Sequence, residues 1–158
     1  MQKLNSWLPV PAQSDFSIYN LPFGIFSTLE KSRRVGVAIG HKIIDLHAAA
    51  EVGVFENIDI DKLVFLQPSL NPFINLGKHI TNSVRLKLQK ELTYQDSALF
   101  LNSDCLVNQI EAQLHLPVEI GDYTDFYSSI EHATNLGRMF RDPENALLPN
   151  WKHLPVAY

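Results

Sequence analysis

Alternating apolar positions predict a β-hairpin early in the chain. In "VGVAIGHKIIDL", residues 35–46, every second side chain before Gly40 is valine or isoleucine, so one face of an extended strand is apolar. The alternation resumes after His41. A Gly-X pair between two such segments is typical of a tight two-residue turn. We therefore expect two antiparallel strands here, with His41 as an exposed turn residue.

The segment before this hairpin also has β character. "FSIYNLPFGIFSTLE" mixes aromatic and β-branched residues with Pro22 and Gly24, which predicts short strands around a turn. Further upstream, Pro9 and Pro11 discourage regular structure, so residues 1–14 are interpreted as a loose arm.

Two later patterns predict helices. Asp45 is a good N-cap for "LHAAAE", and Gly53 is placed to end that short helix. From Pro72 to Leu92 apolar residues recur at helical spacing, with Asn71 placed to cap the helix and Pro72 at its first position. A solvated basic face near its end is formed by Arg85, Lys87 and Lys90.

Composition and charge narrow the classes of function. The chain has 158 residues and a net charge of −4, which is no electrostatic signature for nucleic acid or an anionic membrane surface. Its N-terminus lacks the apolar core of a signal peptide, and no apolar run reaches membrane-spanning length, so we expect a cytoplasmic protein. The single cysteine, Cys105, follows Asp104, which disfavours a reactive thiolate and indicates a structural role.

Chemically versatile side chains concentrate in residues 121–145, "GDYTDFYSSIEHATNLGRMFRDPEN". Ser128 and Glu131 have the spacing of a capping box, which predicts a helix that starts there and ends at Asp142-Pro143. His132 then lies near the positive end of the helix dipole, which disfavours a protonated imidazole and leaves the ring available as a base.

The segment before this helix is predicted to be extended. Alternation places Tyr123, Asp125 and Tyr127 on one face, so a carboxylate lies between two phenols just ahead of the histidine. This arrangement suits one wall of a catalytic site. Each residue also has an ordinary structural interpretation, as a turn former, a polar surface side chain or, for Arg141, a partner of the helix dipole. Spacing alone leaves both interpretations open and identifies no reaction.

Longer blocks of sequence resemble a known enzyme family. "IGDYTDFYSS", "HATN", "MFRD", "ENAL" and "HLPV" are similar to the start of the catalytic domain of the fumarylacetoacetase family, and "DFSIYNLPFGIFST" and "RVGVAIG" resemble its N-terminal domain. The resemblance covers the chain from about residue 15 onward. It implies a mainly β fold with helices: a small β-barrel like that of Src-homology-3 domains at residues 15–116, then the start of a β-roll catalytic domain at residues 117–158.

The resemblance also implies a site and a reaction. Asp125 corresponds to a carboxylate that binds Ca²⁺ or Mg²⁺, and His132 to the general base that activates water. The corresponding substrate contacts are Tyr127, Arg141 and Tyr158. The family hydrolyses a carbon–carbon bond of 4-fumarylacetoacetate to give fumarate and acetoacetate, the last step of tyrosine and phenylalanine catabolism, and it acts as a homodimer. His115 and His153 match no catalytic position and are interpreted as structural.

Departures from the family keep other interpretations open. Ala157 stands where the family has the glycine before the tyrosine, which affects the placement of Tyr158. The family's other metal ligands, its catalytic lysine and the glutamate that orients the histidine would lie beyond residue 158. We therefore expect an N-terminal fragment that is inactive by itself. The alternatives are a non-catalytic barrel module used for packing or partner binding, and a related oxo-acid hydrolase or decarboxylase of the same superfamily.

Overall fold

The computed structural model describes residues 4–154, and the chain divides into two compact units, residues 1–119 and 120–158. The strands of the first unit are β1 (Phe23–Ser27), β2 (Arg34–Ile39), β3 (Lys42–Asp45), β4 (Leu106–Asn108) and β5 (Gln113–His115). Its helices are α1 (Leu46–Glu51), α2 (Asn71–Asn75), α3 (Gly77–Thr93) and α4 (Ala98–Leu101). The described part of the second unit has one α-helix, α5 (Ile130–Phe140), and 3-10 turns at Pro143–Asn145 and Pro149–Lys152.

The five strands form one antiparallel sheet in the order β4-β3-β2-β1-β5. The sheet curls into a half-barrel, which is consistent with a Src-homology-3-like domain and confirms the predicted fold class. One face of the sheet supplies the main core, where α3 contributes Val84, Leu88 and Leu92. The fully buried sheet residues on this face are Ile25, Val35, Val37, Ile39 and Ile44.

The predicted hairpin is confirmed. Ile39 of β2 pairs with Lys42 of β3, so Gly40 and His41 alone make the turn. Gly40 has a φ of +53°, and a Cβ there would lie 2.7 Å from the carbonyl oxygen of Pro9. Only glycine meets both requirements without strain. His41 is exposed, as predicted.

The prediction of strands on both sides of Pro22 is wrong for its first half. Only β1, after Pro22, is a strand; residues 16–21 form a turn. The backbone N–H of Asn20 donates to the carbonyl of Ser17 at 2.9 Å, and the Asn20 side chain donates to the carbonyl of Asp15 at 2.9 Å. These local bonds stabilise the turn. On its two sides, the carbonyls of Phe16 and Pro22 accept hydrogen bonds from the N–H groups of Gly40 and Ala38, at 2.8 and 3.1 Å.

The long helix predicted from Pro72 is two helices. The chain breaks at Gly77, whose φ is +84°, between α2 and α3. Asn71 does not cap α2, because its side chain bonds both backbone groups of Glu119, at 2.9 Å to the N–H and 3.0 Å to the carbonyl. The break also leaves Leu76 exposed, although the helical spacing predicted it to be in the core.

Helix α1 follows its prediction. Asp45 caps it by accepting hydrogen bonds from the backbone N–H groups of His47 and Ala48, at 3.1 and 3.2 Å. Gly53 follows its end with a φ of +83°.

The basic residues of α3 are less solvated than predicted. Arg85 lies over the ring of Phe23 with 5.1 Å between its Cζ and the ring centroid, and Lys87 pairs with the buried carboxylate of Glu91 at 2.9 Å. Lys90 is exposed, as predicted. No helix within residues 4–154 is both long and apolar enough to cross a membrane.

Candidate active site

Helix α5 carries the candidate base. Its N-cap is Ser129, whose hydroxyl accepts a hydrogen bond from the backbone N–H of His132 at 3.3 Å. The predicted cap, Ser128, is one residue too early. Glu131 does not close a capping box, because its carboxylate accepts a hydrogen bond from the Ser129 hydroxyl at 3.3 Å. His132 lies in the first turn of α5, and its side chain is exposed.

The opposite face of α5 is packed closely. Ala133 and Gly137 are its buried residues, and a Cβ at position 137 would collide with the carbonyl oxygen of Ala146. The helix ends at Phe140, ahead of Asp142-Pro143, as predicted. Glycine therefore allows the chain that returns after α5 to lie directly against the helix, which brings Ala146 and its neighbours towards the candidate site.

Tyr127 lies against the candidate base. Its ring meets the His132 ring edge to face, with 5.1 Å between the centroids and 81° between the planes. Its hydroxyl donates to the backbone carbonyl of His132 at 3.4 Å. The Trp151 indole N–H donates to the Tyr127 carbonyl at 2.7 Å, which holds the tyrosine backbone from the other side. Sequence reasoning missed Trp151, and the signal that was available is an amphipathic indole between the polar residues Asn150 and Lys152.

Arg141 shares a cavity with Tyr127. The cavity has a volume of about 90 Å³, and its lining includes Tyr127, Ala133, Arg141 and Trp151. Arg141 is the C-cap of α5, and one guanidinium nitrogen donates to the Ala146 carbonyl at 3.4 Å. This contact leaves most of the guanidinium N–H donors available for a ligand. The structure therefore brings a phenol and a guanidinium together in one small cavity, with the imidazole beside the phenol.

Asp125 does not line this cavity. It is exposed in an irregular segment, so no strand supports the predicted alternation from Tyr123 to Tyr127. Its carboxylate has no hydrogen-bond or ion-pair partner among the described residues. Residues 4–154 contain no group of three or more His, Cys, Asp or Glu side chains arranged to hold a metal ion. Tyr158 lies outside the described residues.

The two remaining predicted histidines occupy different environments. His115 is in the first unit, where its Nε2 lies 2.8 Å from the Ser27 hydroxyl and links β5 to β1. His153 is exposed near the end of the described chain. The His115 contact supports a structural role for that residue.

Comparison with known proteins identifies the family. The family model for the fumarylacetoacetase N-terminal region matches residues 19–117. The alignment with fumarylacetoacetase of Homo sapiens covers 97% of this chain at 48% identity. The alignment with fumarylacetoacetase of Caenorhabditis elegans covers 98% of this chain at 47% identity. The fumarylacetoacetase of Arabidopsis thaliana is 40% identical over the whole chain.

The match is confined to part of each relative. The chain spans 38% of the length of the human and nematode proteins and 39% of the plant protein. The family model nevertheless covers well over half of the chain, and the chain therefore belongs to the fumarylacetoacetase N-terminal family.

Proposed function

We propose that residues 120–158 form one wall of the active site of a fumarylacetoacetase, which hydrolyses 4-fumarylacetoacetate to fumarate and acetoacetate. The contact of Tyr127 with His132, beside a cavity that Tyr127 shares with Arg141, carries the proposal. The relatives at 40–48% identity bear the name of this activity and support the same reaction.

In this proposal His132 is the general base. Its backbone N–H is already bonded to Ser129, so the start of α5 is fixed, and the exposed imidazole is free to take a proton from water. The Tyr127 ring packs against one side of the imidazole and restricts its orientation. The activated water attacks a carbonyl of the substrate, and the carbon–carbon bond breaks when the tetrahedral intermediate collapses.

Arg141 and Tyr127 bind the substrate. A guanidinium can donate two parallel hydrogen bonds to a carboxylate, and 4-fumarylacetoacetate carries a carboxylate at each end. Tyr127 lines the same cavity, and its hydroxyl, which donates to the His132 carbonyl, can still accept a hydrogen bond. Tyr158 is proposed as a further substrate contact.

Asp125 is the proposed metal ligand. Its carboxylate is exposed and unpaired among the described residues, and it is the hard oxygen donor that Ca²⁺ and Mg²⁺ prefer. Such an ion, when bound, would supply a Lewis acid for an oxygen of the substrate. One carboxylate is far short of the roughly six oxygen ligands that either ion requires, so Asp125 is proposed as one member of a larger set.

The test is a chimera in which this chain is joined to the remaining C-terminal part of the human relative. His132→Ala is expected to lower kcat by at least ~10²-fold with little change in KM, because general-base catalysis acts on the chemical step. Arg141→Lys is expected to act mainly on KM, because an ammonium lacks the bidentate fork. His153→Ala is the matched control, since it removes an exposed histidine from the same unit.

The outcomes are separable. Activity in the parent chimera with normal His153→Ala turnover validates the assay. Near-normal turnover of His132→Ala would then mean that this histidine is an ordinary polar residue on the helix surface and not the base. An active chimera that cleaves other oxo-acids but not 4-fumarylacetoacetate would instead favour a related reaction of the same superfamily.

A further inference from the structure

The first unit contains a cleft that the proposed function does not use. It has a volume of about 450 Å³ and lies between Phe23 of β1, helix α2 and the first half of α3. Its lining combines an aromatic floor with cationic and polar side chains: Phe23, Phe73, Lys78, Thr81, Asn82 and Arg85. No carboxylate lines it. A concave site with an apolar surface and a few converging polar groups is the usual form of a small-molecule site.

The floor of this cleft is preorganised. The rings of Phe23 and Phe73 stack with 5.4 Å between their centroids and 25° between their planes. Arg85 lies over Phe23, 5.1 Å from the ring centroid, which fixes the guanidinium by a cation–π interaction. Among the described residues the Arg85 N–H groups have no hydrogen-bond or ion-pair partner, so this contact leaves its donors available for an anion.

A second cation lies two turns away. Residues 78, 81, 82 and 85 share one face of α3, because positions three and four apart are neighbours on a helix. At 1.5 Å per residue, the backbone positions of Lys78 and Arg85 are about 10 Å apart along the axis. Lys78 is exposed and has no ion-pair partner within residues 4–154. Lys87 on the same helix is already neutralised by Glu91.

We propose that this cleft binds a linear dicarboxylate. One carboxylate pairs with Arg85 and the other with Lys78, while the carbon chain lies on the rings of Phe23 and Phe73. Thr81 and Asn82 lie between the two cations on the same face of α3, and the Thr81 hydroxyl donates to the carbonyls of Gly77 and Lys78 within the helix. A compact anion such as phosphate reaches only one cation at a time, whereas an extended dianion neutralises both. The inference is independent of the proposed reaction, because every residue of the cleft lies in residues 1–119.

The test uses the purified ¹⁵N-labelled chain and three probes: suberate, octanoate and inorganic phosphate. Suberate and octanoate have equal carbon chains but differ by one carboxylate. We expect saturable amide shifts for suberate that are confined to Phe23 and residues 73–85. Because an ion pair with an exposed lysine is worth up to about 1 kcal/mol, octanoate is expected to bind about two- to fivefold more weakly. Phosphate is expected to give no saturable shift in these residues.

Two substitutions test whether Lys78 and Arg85 each bind one carboxylate of suberate. Arg85→Gln is expected to weaken suberate binding by about tenfold, because Arg85 is partly buried against Phe23. Lys78→Gln is expected to weaken it by about two- to fivefold, because Lys78 is exposed. Lys90→Gln is the matched control: it removes an exposed lysine from the same helix, outside the cleft, and is expected to leave the affinity unchanged. Arg85→Gln could unfold the chain because it loses the ring contact. In that case the affinity of Lys78→Gln and the amide shifts of the unaltered chain still test the proposal.

Four results would overturn the proposal. Equal affinity for suberate and octanoate would mean that only the apolar floor binds. An equal loss in Lys90→Gln and Lys78→Gln would mean diffuse attraction to a basic helix. Amide shifts outside the cleft on adding suberate, or no saturable shift at all, would mean that suberate does not bind in this cleft.

Discussion

Replacing Asp45 is expected to destabilise the first unit more than replacing any exposed carboxylate. Its side chain is fully buried and makes four polar contacts. One oxygen accepts from Lys31 at 2.9 Å and Arg34 at 3.4 Å; the other accepts from the backbone N–H groups at the start of α1. A single carboxylate thus joins the β1–β2 turn and β2 to the helix that follows β3.

The expected loss in the free energy of unfolding is the sum of the contributions of the two carboxylate oxygens of Asp45. Loss of a helix N-cap costs about 1 kcal/mol, and removal of one partner from a buried ion pair costs about 3–5 kcal/mol. The side chains of Lys31 and Arg34 are 29% and 16% exposed, so water compensates them partly and the lower end of that range applies. We expect a loss of about 4 kcal/mol for Asp45→Ala and about 3 kcal/mol for Asp45→Asn, which retains an oxygen for the cap.

The assay is urea unfolding followed by the fluorescence of Trp7 in a Trp151→Phe background. The chain has two tryptophans, and Trp7 reports the first unit, where its indole donates to the Glu91 carbonyl at 2.9 Å. Glu51→Gln is the control, because that exposed carboxylate pairs with Lys62 at 2.7 Å but is solvated. The reasoning is refuted if Asp45→Asn is as stable as the parent, or if Glu51→Gln is as damaging as Asp45→Ala.

Three further predictions follow from single sites. Gly40→Ala should destabilise the hairpin by at least ~1 kcal/mol in the same urea assay, because it imposes a positive φ on alanine and a clash with the Pro9 carbonyl. Burial, and secondarily the Asp45 carboxylate, raises the pKa of the Cys105 thiol above its ordinary value. The protonated thiol therefore contributes stability that is complete below the ordinary thiol pKa and is lost as the pH rises through the raised pKa of the folded state, and Cys105→Ala should remove this alkaline decline in urea titrations at several pH values. Calorimetric titration of this chain with Ca²⁺ should show affinity no better than millimolar, because Asp125 is a single carboxylate; micromolar binding would mean that the site is complete within these residues.

The features that were predicted correctly are those whose cause lies within a few residues. A two-residue turn needs a glycine that accepts a positive φ, and Gly40 supplies it within the hairpin itself. Asp45 caps α1 through the amides two and three residues further on. Such interactions are visible in a sequence window of ten residues, so the pattern was sufficient. The burial of Asp45 and its pairing with Lys31 and Arg34 were not foreseen, because they depend on how β2 and β3 pair.

The break between α2 and α3 shows why other predictions failed. The apolar spacing from Phe73 to Leu88 is continuous, so a periodic pattern predicts one helix. The missing cap has a cause that is distant in sequence: the Asn71 side chain binds the backbone of Glu119, 48 residues away. Gly77 then allows a change of direction that the spacing does not reveal. A tertiary hydrogen bond therefore removed the predicted cap, whereas the helix breaks at a local glycine with a positive φ.

The candidate site contains both kinds of feature, those with a local cause and those that depend on distant residues. The helix with its early histidine was predictable from local signals, with an error of one residue in the cap. The roles of Tyr127, Arg141 and Asp125 came from the family resemblance, because their spacing alone also suits a solvated surface. The structure adds a contact that neither source contained: the indole of Trp151 holds the Tyr127 backbone, and Tyr127 in turn packs on His132. A residue 24 positions away thus supports the ring beside the proposed base, which makes the orientation of His132 a property of the packed unit and not of its helix alone.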